Sequence, residues 1–439
     1  MRRSALAAAF VFAAAPALAQ LSPAERRLRP AIAADTARHE ALLERLVEQN
    51  SGSLNVAGVT AVADMLRPEF EALGFDVRWS DMRATGRAGH LIAHHRGSGA
   101  GKRVLLIGHL DTVFEPDSPF RGYRRIGADR ATGPGVLDDK GGVVVILAAL
   151  RAMQAAGTLD GADITVVLTG DEERSGTPLS VARADLIAAG RSADVALEFE
   201  NLVAADGREY GTVARRGSIG WEVVATGVTG HASTVFGPAL GYGAIYEAAR
   251  IADAFRRELP EPNLTYNIGL IAGGTPVTLE AEGTRATASG KPNIVAERAV
   301  MRGDLRALTP EQVARVRGRM EAIVARHLPR TSATITFADA FPPMAPAARN
   351  RALLAQLNAA NRDAGLPEMP EYDPAKRGAA DSAFVSEFVP TLGGLGPAGG
   401  NAHAEREWID LASVPRQALR AALLIGRLAT EPRTIGSPR

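Results

Sequence analysis

Five short segments place carboxylates and imidazoles at spacings that could hold a metal or move a proton. In Gly108-His109-Leu110-Asp111-Thr112-Val113, His109 and Asp111 are two apart, so on an extended chain they face the same side. A ligating imidazole uses a carboxylate or carbonyl on its second nitrogen to fix its tautomer, and Asp111 could supply one. Alone, such a pair near a strand end is more often structural. Asp138 and Asp139 lie between Gly133-Pro134-Gly135 and Gly141-Gly142, just before an apolar run. A helix N-cap would use one acid; two in a row, flanked by glycines, point to a turn that aims a carboxylate inward. Asp171-Glu172-Glu173 is followed by the single Arg174, too few cations for three acids, although a solvated turn would also accommodate them. Glu198 and Glu200 frame Phe199, and His403 follows a Gly/Pro-rich stretch from Pro390 to Gly400. The chain has only eight histidines, which gives weight to two in such places. Together His109, Asp138, Glu173, Glu200 and His403 offer oxygen and imidazole donors without thiolate. That set suits zinc, cobalt or manganese in a hydrolytic site.

The elements needed to position these residues can be read from the apolar pattern. Arg103–His109, Ile164–Thr169 and Asp194–Phe199 are near-continuous apolar runs, the mark of strands buried on both faces. Shorter strands are expected at Phe75–Trp79 and His90–Ala93. Helices are expected from Ala24 to about Asn50, Val56–Leu73, Gly141–Met153, Pro178–Ala189, Arg349–Ala364 and Val414–Ala429. Strands alternating with helices predict an α/β fold with a mostly parallel mixed sheet flanked by helices. Ligands in such sheets gather beyond the carboxyl ends of the strands, which is where the acids lie. The texture changes near Ala214. Ile219–Thr226 and Leu264–Ile271 read as strands with one wet face, and Ala239–Arg257 as a helix. Thr309-Pro310-Glu311-Gln312 starts another helix, running to about His327, with Thr as cap and Pro at the first helical position. Residues 214–330 are therefore expected to form a small α+β lid domain. It interrupts a catalytic domain made of residues 20–213 and 331–439.

Composition excludes several alternatives. The 439 residues are 46% hydrophobic and 23% charged, a globular profile, and exceed what one core of about 250–300 residues holds. With 50 Lys+Arg against 49 Asp+Glu, a basic nucleic-acid footprint is absent. There is no cysteine, hence no disulfide framework and no thiolate ligand. Arg2 and Arg3, the apolar Ala5–Pro16 and the small-x-small Ala17-Leu18-Ala19 read in order as a signal peptide over residues 1–19, removed on export to the periplasm or medium. No later apolar run approaches the ~18–20 residues of a membrane span.

The order His109-x-Asp111-x-Val113, Gly-Pro-Gly-x-x-Asp138-x-Lys-Gly-Gly, Asp-Glu172-Glu173-x-x-Gly and a late His403 resembles the M20 family of metallopeptidases across essentially the whole mature chain. The nearest likeness is to the glutamate carboxypeptidase (carboxypeptidase G2-like) branch. The resemblance implies two zinc ions per subunit, with cobalt or manganese as substitutes. It implies that Asp138 bridges them and that its bond to Asp139 is cis. His109 and Glu200 would complete one ion, Glu173 and His403 the other. Glu198 rivals Glu200, but the family's ligand follows an apolar-Phe pattern, here Phe199. Asp111 would orient His109, and Glu172 would be the general base. A metal pair lowers the pKa of a bridging water and polarises a scissile carbonyl, and a free carboxylate beside it can shuttle the proton.

Three further matches lie in the lid. Gly230-His231-Ala232-Ser233 resembles the motif whose histidine crosses a dimer interface to stabilise an oxyanion, implying a homodimer through the lid. Asn293 and Arg306 resemble substrate binders, and an arginine can clasp a free carboxylate with two hydrogen bonds. Without the resemblance, a loop histidine, a turn asparagine and a surface arginine would account for all three. One departure affects the substrate. Where the glutamate-specific branch carries a Lys and a Ser before the lid, this chain has Arg208-Glu209-Tyr210-Gly211-Thr212. The expectation is an exported enzyme that hydrolyses a peptide or N-acyl amide bond next to a free C-terminal carboxylate. Its partners would be small peptides or N-acyl amino acids. The rivals are an N-acyl-amino-acid deacylase or aminopeptidase of the same family, and a non-catalytic periplasmic binding protein.

Overall fold

The computed structural model describes residues 21–280, 283–338 and 341–433; the expected signal peptide lies outside them. One sheet holds six strands: β1 (Asp76–Asp81), β2 (Gly89–His95), β3 (Val104–His109), β4 (Ile164–Thr169), β5 (Val195–Glu198) and β10 (Thr391–Leu392), in the order β1-β2-β4-β3-β5-β10. The pairs β4/β3, β3/β5 and β5/β10 are parallel, while β1 and β2 join antiparallel at one edge. The expected mixed, mostly parallel sheet is present. The central strands bury every residue of β3 and β5 because helices cover both faces.

Nine helices of eight or more residues are described: α1 (Glu25–Ala34), α2 (Thr36–Glu48), α3 (Val56–Glu71), α4 (Lys140–Ala156), α5 (Ala184–Ser192), α6 (Ala244–Glu258), α7 (Pro310–Val324), α8 (Ala348–Asp363) and α9 (Ser413–Leu428). Helix α4 is apolar nearly all round and packs against α1, α2 and α9, so it has no wet face. Four expectations need correction. The lid does not end at 330, because Thr331–Phe337 pairs with Ile219–Gly227 in its sheet. The single helix from Ala24 to Asn50 is two, because the Asp35 N–H turns back to the Ile32 carbonyl and ends α1. The helix expected at Pro178–Ala189 is a single turn, Leu179–Ala182, followed by α5. The Gly/Pro-rich stretch contains Thr391–Leu392, which is too short to show a period yet pairs with β5 as an edge strand.

A second sheet is antiparallel, ordered β7-β8-β6-β9, from β6 (Ile219–Gly227), β7 (Thr265–Gly274), β8 (Arg298–Arg306) and β9 (Thr331–Phe337). Burial alternates along β6 and β9, since one face packs on α6 and α7 and the other meets water. Helix α7 starts as its sequence predicts: the Thr309 hydroxyl accepts from the Gln312 N–H at 3.2 Å, with Pro310 at the first position. Among the described residues, no helix is long and apolar enough to cross a membrane.

Candidate metal centre

The carboxyl ends of β3, β4 and β5 converge with the turn before α4. His109 ends β3, and its Nε2 lies 3.0 Å from Asp138 Oδ1. The other oxygen of Asp138 lies 3.1 Å from His403 Nε2. One buried carboxylate therefore stands between two imidazoles. His403 Nε2 is also 3.1 Å from Glu173 Oε2. Ligand atoms of His109, Asp138 and Glu173 lie within 4.8 Å of one another, as do those of His109, Glu172 and Glu200. All five expected ligands and Glu172 are thus brought together. The grouping around His109 differs from the pairing inferred by resemblance, because Glu172 shares the Glu200 cluster.

The bond Asp138–Asp139 is cis, as the resemblance implied. Asp139 precedes α4 without capping it. Its Oδ2 instead accepts from the His109 N–H at 3.2 Å. Only glycine leaves room for this carboxylate: a Cβ at Gly142 would stand 2.1 Å from Asp139 Oδ1, and one at Gly108 2.7 Å from its Oδ2. The glycines flanking the acidic pair are therefore packing requirements of the turn.

Asp111 does more than the resemblance assigned it. The His109 Nδ1 lies 3.0 Å from the Asp111 main-chain carbonyl, closer than the 3.4 Å to its carboxylate. The carboxylate accepts from the N–H groups of Glu172 at 3.0 Å and Glu173 at 3.1 Å, and from the Ser53 hydroxyl at 2.6 Å. It therefore fixes both the imidazole and the two-glutamate turn. Sequence reasoning missed Glu407, four residues after His403. Its buried carboxylate accepts from the N–H groups of Leu137 at 2.7 Å, Asp138 at 3.0 Å and Gly135 at 3.3 Å, holding the turn that presents Asp138. The only hint was one acid in an exposed-looking Glu-Arg-Glu run.

Glu198 and Glu200 separate cleanly. Glu198 Oε1 accepts from the Ser382 N–H at 3.3 Å, and its other oxygen pairs with the buried Arg215. Glu200 shares Arg215, at 2.8 Å, but reaches the His109 cluster. Of the two, Glu200 is the one grouped with His109 and Glu172.

Charge and orphaned atoms test whether these residues fit a metal. Burial raises the Glu172 and Asp139 carboxyls well above their usual range, and neighbouring carboxylates push the same way. Burial lifts Glu200 to about 7. Hydrogen bonds to Asp138 and Glu173 drive His403 up to about 11. Glu173 Oε1 is buried with no hydrogen-bond partner among the described residues. A dense group of acids whose carboxyls burial pushes up, with one buried oxygen unpaired, would be relieved by further positive charge. Oxygen and imidazole donors suit a borderline divalent cation, so the residues fit.

The lid residues form a separate group. His231 Nδ1 lies 2.8 Å from the Ser233 hydroxyl, and Asn293 Nδ2 lies 3.4 Å from His231 Nε2. The two are brought together by the bridge between His231 and Ile294. Arg306 ends β8 and donates to Asp304 at 2.7 Å. Among the described residues, the side chains of these three bond to one another or to lid neighbours, not to the His109–Asp138 cluster. Of the segment before the lid, Arg208 is exposed, Glu209 pairs with Arg416 and Arg420, and Thr212 is buried with its hydroxyl unpartnered.

The sequence profile of peptidase family M20/M25/M40 matches residues 105–426, from β3 through α9. The chain belongs to the M20 family. Carboxypeptidase G2 of Pseudomonas sp. (strain RS-16) is 28% identical over 387 residues, covering 87% of each chain. Among solved structures, a tripeptidase from Staphylococcus aureus matches with a TM-score of 0.68 at 19% identity, covering 90% of this chain and 99% of its own. A dinuclear metal binding peptidase of the M20 family from Bacillus subtilis matches with a TM-score of 0.63 at 14% identity, covering 90% and 99%. The M20 membership makes the chain a metallopeptidase-type hydrolase, similar to a carboxypeptidase, and the acidic cluster is its candidate metal centre.

Proposed function

We propose that this M20 protein is an exported dizinc exopeptidase or amidohydrolase that cleaves a peptide or N-acyl amide bond next to a free C-terminal carboxylate. The observation that carries this reading is the Asp138 carboxylate held between His109 and His403, with Glu172 in the same cluster. Asp138 would be shared by two ions, with His109 and Glu200 on one side and Glu173 and His403 on the other. Bound there, a zinc pair supplies Lewis acidity to the scissile carbonyl and to an attacking water. Glu172 takes the proton of that water and returns it to the leaving amine. Asp111 holds the Glu172 main chain in place for this transfer. Burial around the cluster strengthens each of these electrostatic contacts.

Arg306 and Asn293 would bind the substrate, Arg306 through the free carboxylate. Burial and then Arg306 lower the Arg216 guanidinium, while Asp304 and Asp373 oppose them. An aminopeptidase would need a site for a free amine there instead. A blocked C-terminus should abolish turnover and a blocked N-terminus should not; the reverse would favour the aminopeptidase reading. N-acyl amino acids and dipeptides assayed side by side separate deacylase from peptidase. The non-catalytic binding alternative has no observation in its favour.

His231 would stabilise the oxyanion from a partner subunit. A homodimer is supported by β7, an edge strand with Ile271 57% exposed, and by exposed Phe236 and Tyr246, whose rings meet elsewhere in the lid. Export rests on the N-terminal pattern alone. The mechanism is tested by Glu172→Ala in the zinc-loaded enzyme. Turnover should fall about 10²–10⁴-fold with metal content retained. Unchanged turnover contradicts the role given to Glu172.

A further inference from the structure

Arg215 is placed where two parts of the molecule meet. Its backbone is stitched into the antiparallel ribbon between the two sheets: its N–H donates to the Met344 carbonyl at 2.9 Å and its carbonyl accepts from the Met344 N–H at 3.0 Å. Three residues on, Ser218 donates to Phe341 at 3.0 Å. Its side chain, 1% exposed, runs the other way, into the metal centre. One terminal nitrogen donates to the Gly378 carbonyl at 3.1 Å. The other is shared by one oxygen of Glu198 and, at 2.8 Å, by Oε2 of Glu200.

We propose that Arg215 is a positioning residue for the metal centre: anchored at both ends, it holds one oxygen of Glu200, leaves the other for an ion, and so sets the affinity of that metal position. This rests on the dinuclear reading above. A ligating carboxylate is normally oriented by an outer hydrogen bond, and losing that partner typically costs 10–100-fold in metal affinity. Glu198 completes the device without touching an ion. Held by the Ser382 N–H, it balances the arginine's charge, so the guanidinium beside a cation site adds little net repulsion. A lysine could not substitute, because its single ammonium does not provide the planar fork that spans Gly378, Glu198 and Glu200.

The charge balance dictates the test. Arg215→Met alone strands a buried carboxylate, which destabilises strongly. The double variant Arg215→Met/Glu198→Gln removes both charges and conserves the net charge, and Glu200 keeps Arg377, 3.8 Å from its Oε2. Titration of the metal-free chain with cobalt, followed by calorimetry and by the visible absorption of bound Co²⁺, resolves the equivalents. Glu200→Ala marks which one Glu200 serves. In the double variant that equivalent should weaken 10–100-fold with an altered spectrum, while the other keeps its affinity. Arg215→Lys should show the same selective loss. Two equivalents with affinities unchanged in a folded double variant would overturn the inference. So would equal weakening of both, which marks a merely structural residue. Fewer than two equivalents in the unsubstituted protein would overturn the dinuclear reading, and this inference with it.

Discussion

The six-stranded sheet and the four-stranded sheet solve opposite problems. In the first, parallel strands are buried on both faces, so their carboxyl ends are rigidly placed and can hold acids that repel one another. His109, Asp138, Glu172, Glu173 and Glu200 are brought within ligand distance by one chain. In the second, one face stays wet and the candidate residues stand on it or at its rim. His231 and Asn293 contact each other, and Arg306 contacts Asp304; among the described residues these bonds stay within the lid. Rigid burial suits a centre that must oppose charge repulsion before any ligand arrives. An exposed antiparallel layer suits residues that act only when a substrate or a second subunit is present.

The largest test of this contrast concerns His231. If the wet sheet contributes to chemistry, His231→Ala should lower kcat by about 10²–10³-fold, the usual loss of one oxyanion donor. Zinc content should not change. Normal kcat would confine the chemistry to the buried sheet. A stability comparison comes next. Leu147, fully buried in α4, should cost about 2–5 kcal/mol on replacement by Ala. Ile271→Ala on the exposed edge should stay within about 0.5 kcal/mol at dilution, while raising the dimer dissociation constant. Denaturant unfolding and sedimentation measure the two. A large stability loss at Ile271 would mean that the edge is already part of a core.

The smallest effect is a pH dependence within the buried half. His39, 3% exposed in α2, is held down to about 4 by burial and then by Arg151, with Arg38 adding to them and Asp35 and Glu69 opposing. Its folded pKa is below the ordinary 6.5, so the unfolded chain takes up the proton first. Its contribution is complete above pH 6.5 and is lost as pH falls through the window from 6.5 to about 4. The change is on the order of 1–3 kcal/mol. His39→Gln should flatten the melting temperature across that window, and an identical slope in both proteins would contradict it.

Much of this contrast was legible in the sequence because burial on two faces and burial on one leave different patterns. Arg103–His109 and Ile164–Thr169 read as buried strands, and the acids that follow them read as site residues. The pattern in Ile219–Thr226 marked the wet sheet. What escaped had no periodic signal. Thr391–Leu392 is two residues long. The break at Asp35 lies inside a stretch whose apolar spacing continues across it. Glu407 looks like a surface acid until its oxygens are seen to accept three main-chain N–H groups. Arg215 lies fifteen and more residues from the glutamates it holds, and spacing does not reveal such a contact. The division of ligands between two ions likewise came from resemblance, and the structure also gathers Glu172 with His109 and Glu200, their ligand atoms within 4.8 Å of one another.

The most direct measurement is anomalous diffraction at the zinc edge from crystals of the zinc-loaded protein. Two peaks are expected, one on each side of the Asp138 carboxylate, and both should vanish in Asp138→Ala. A single peak, none, or two that survive the loss of Asp138 would contradict the dinuclear centre.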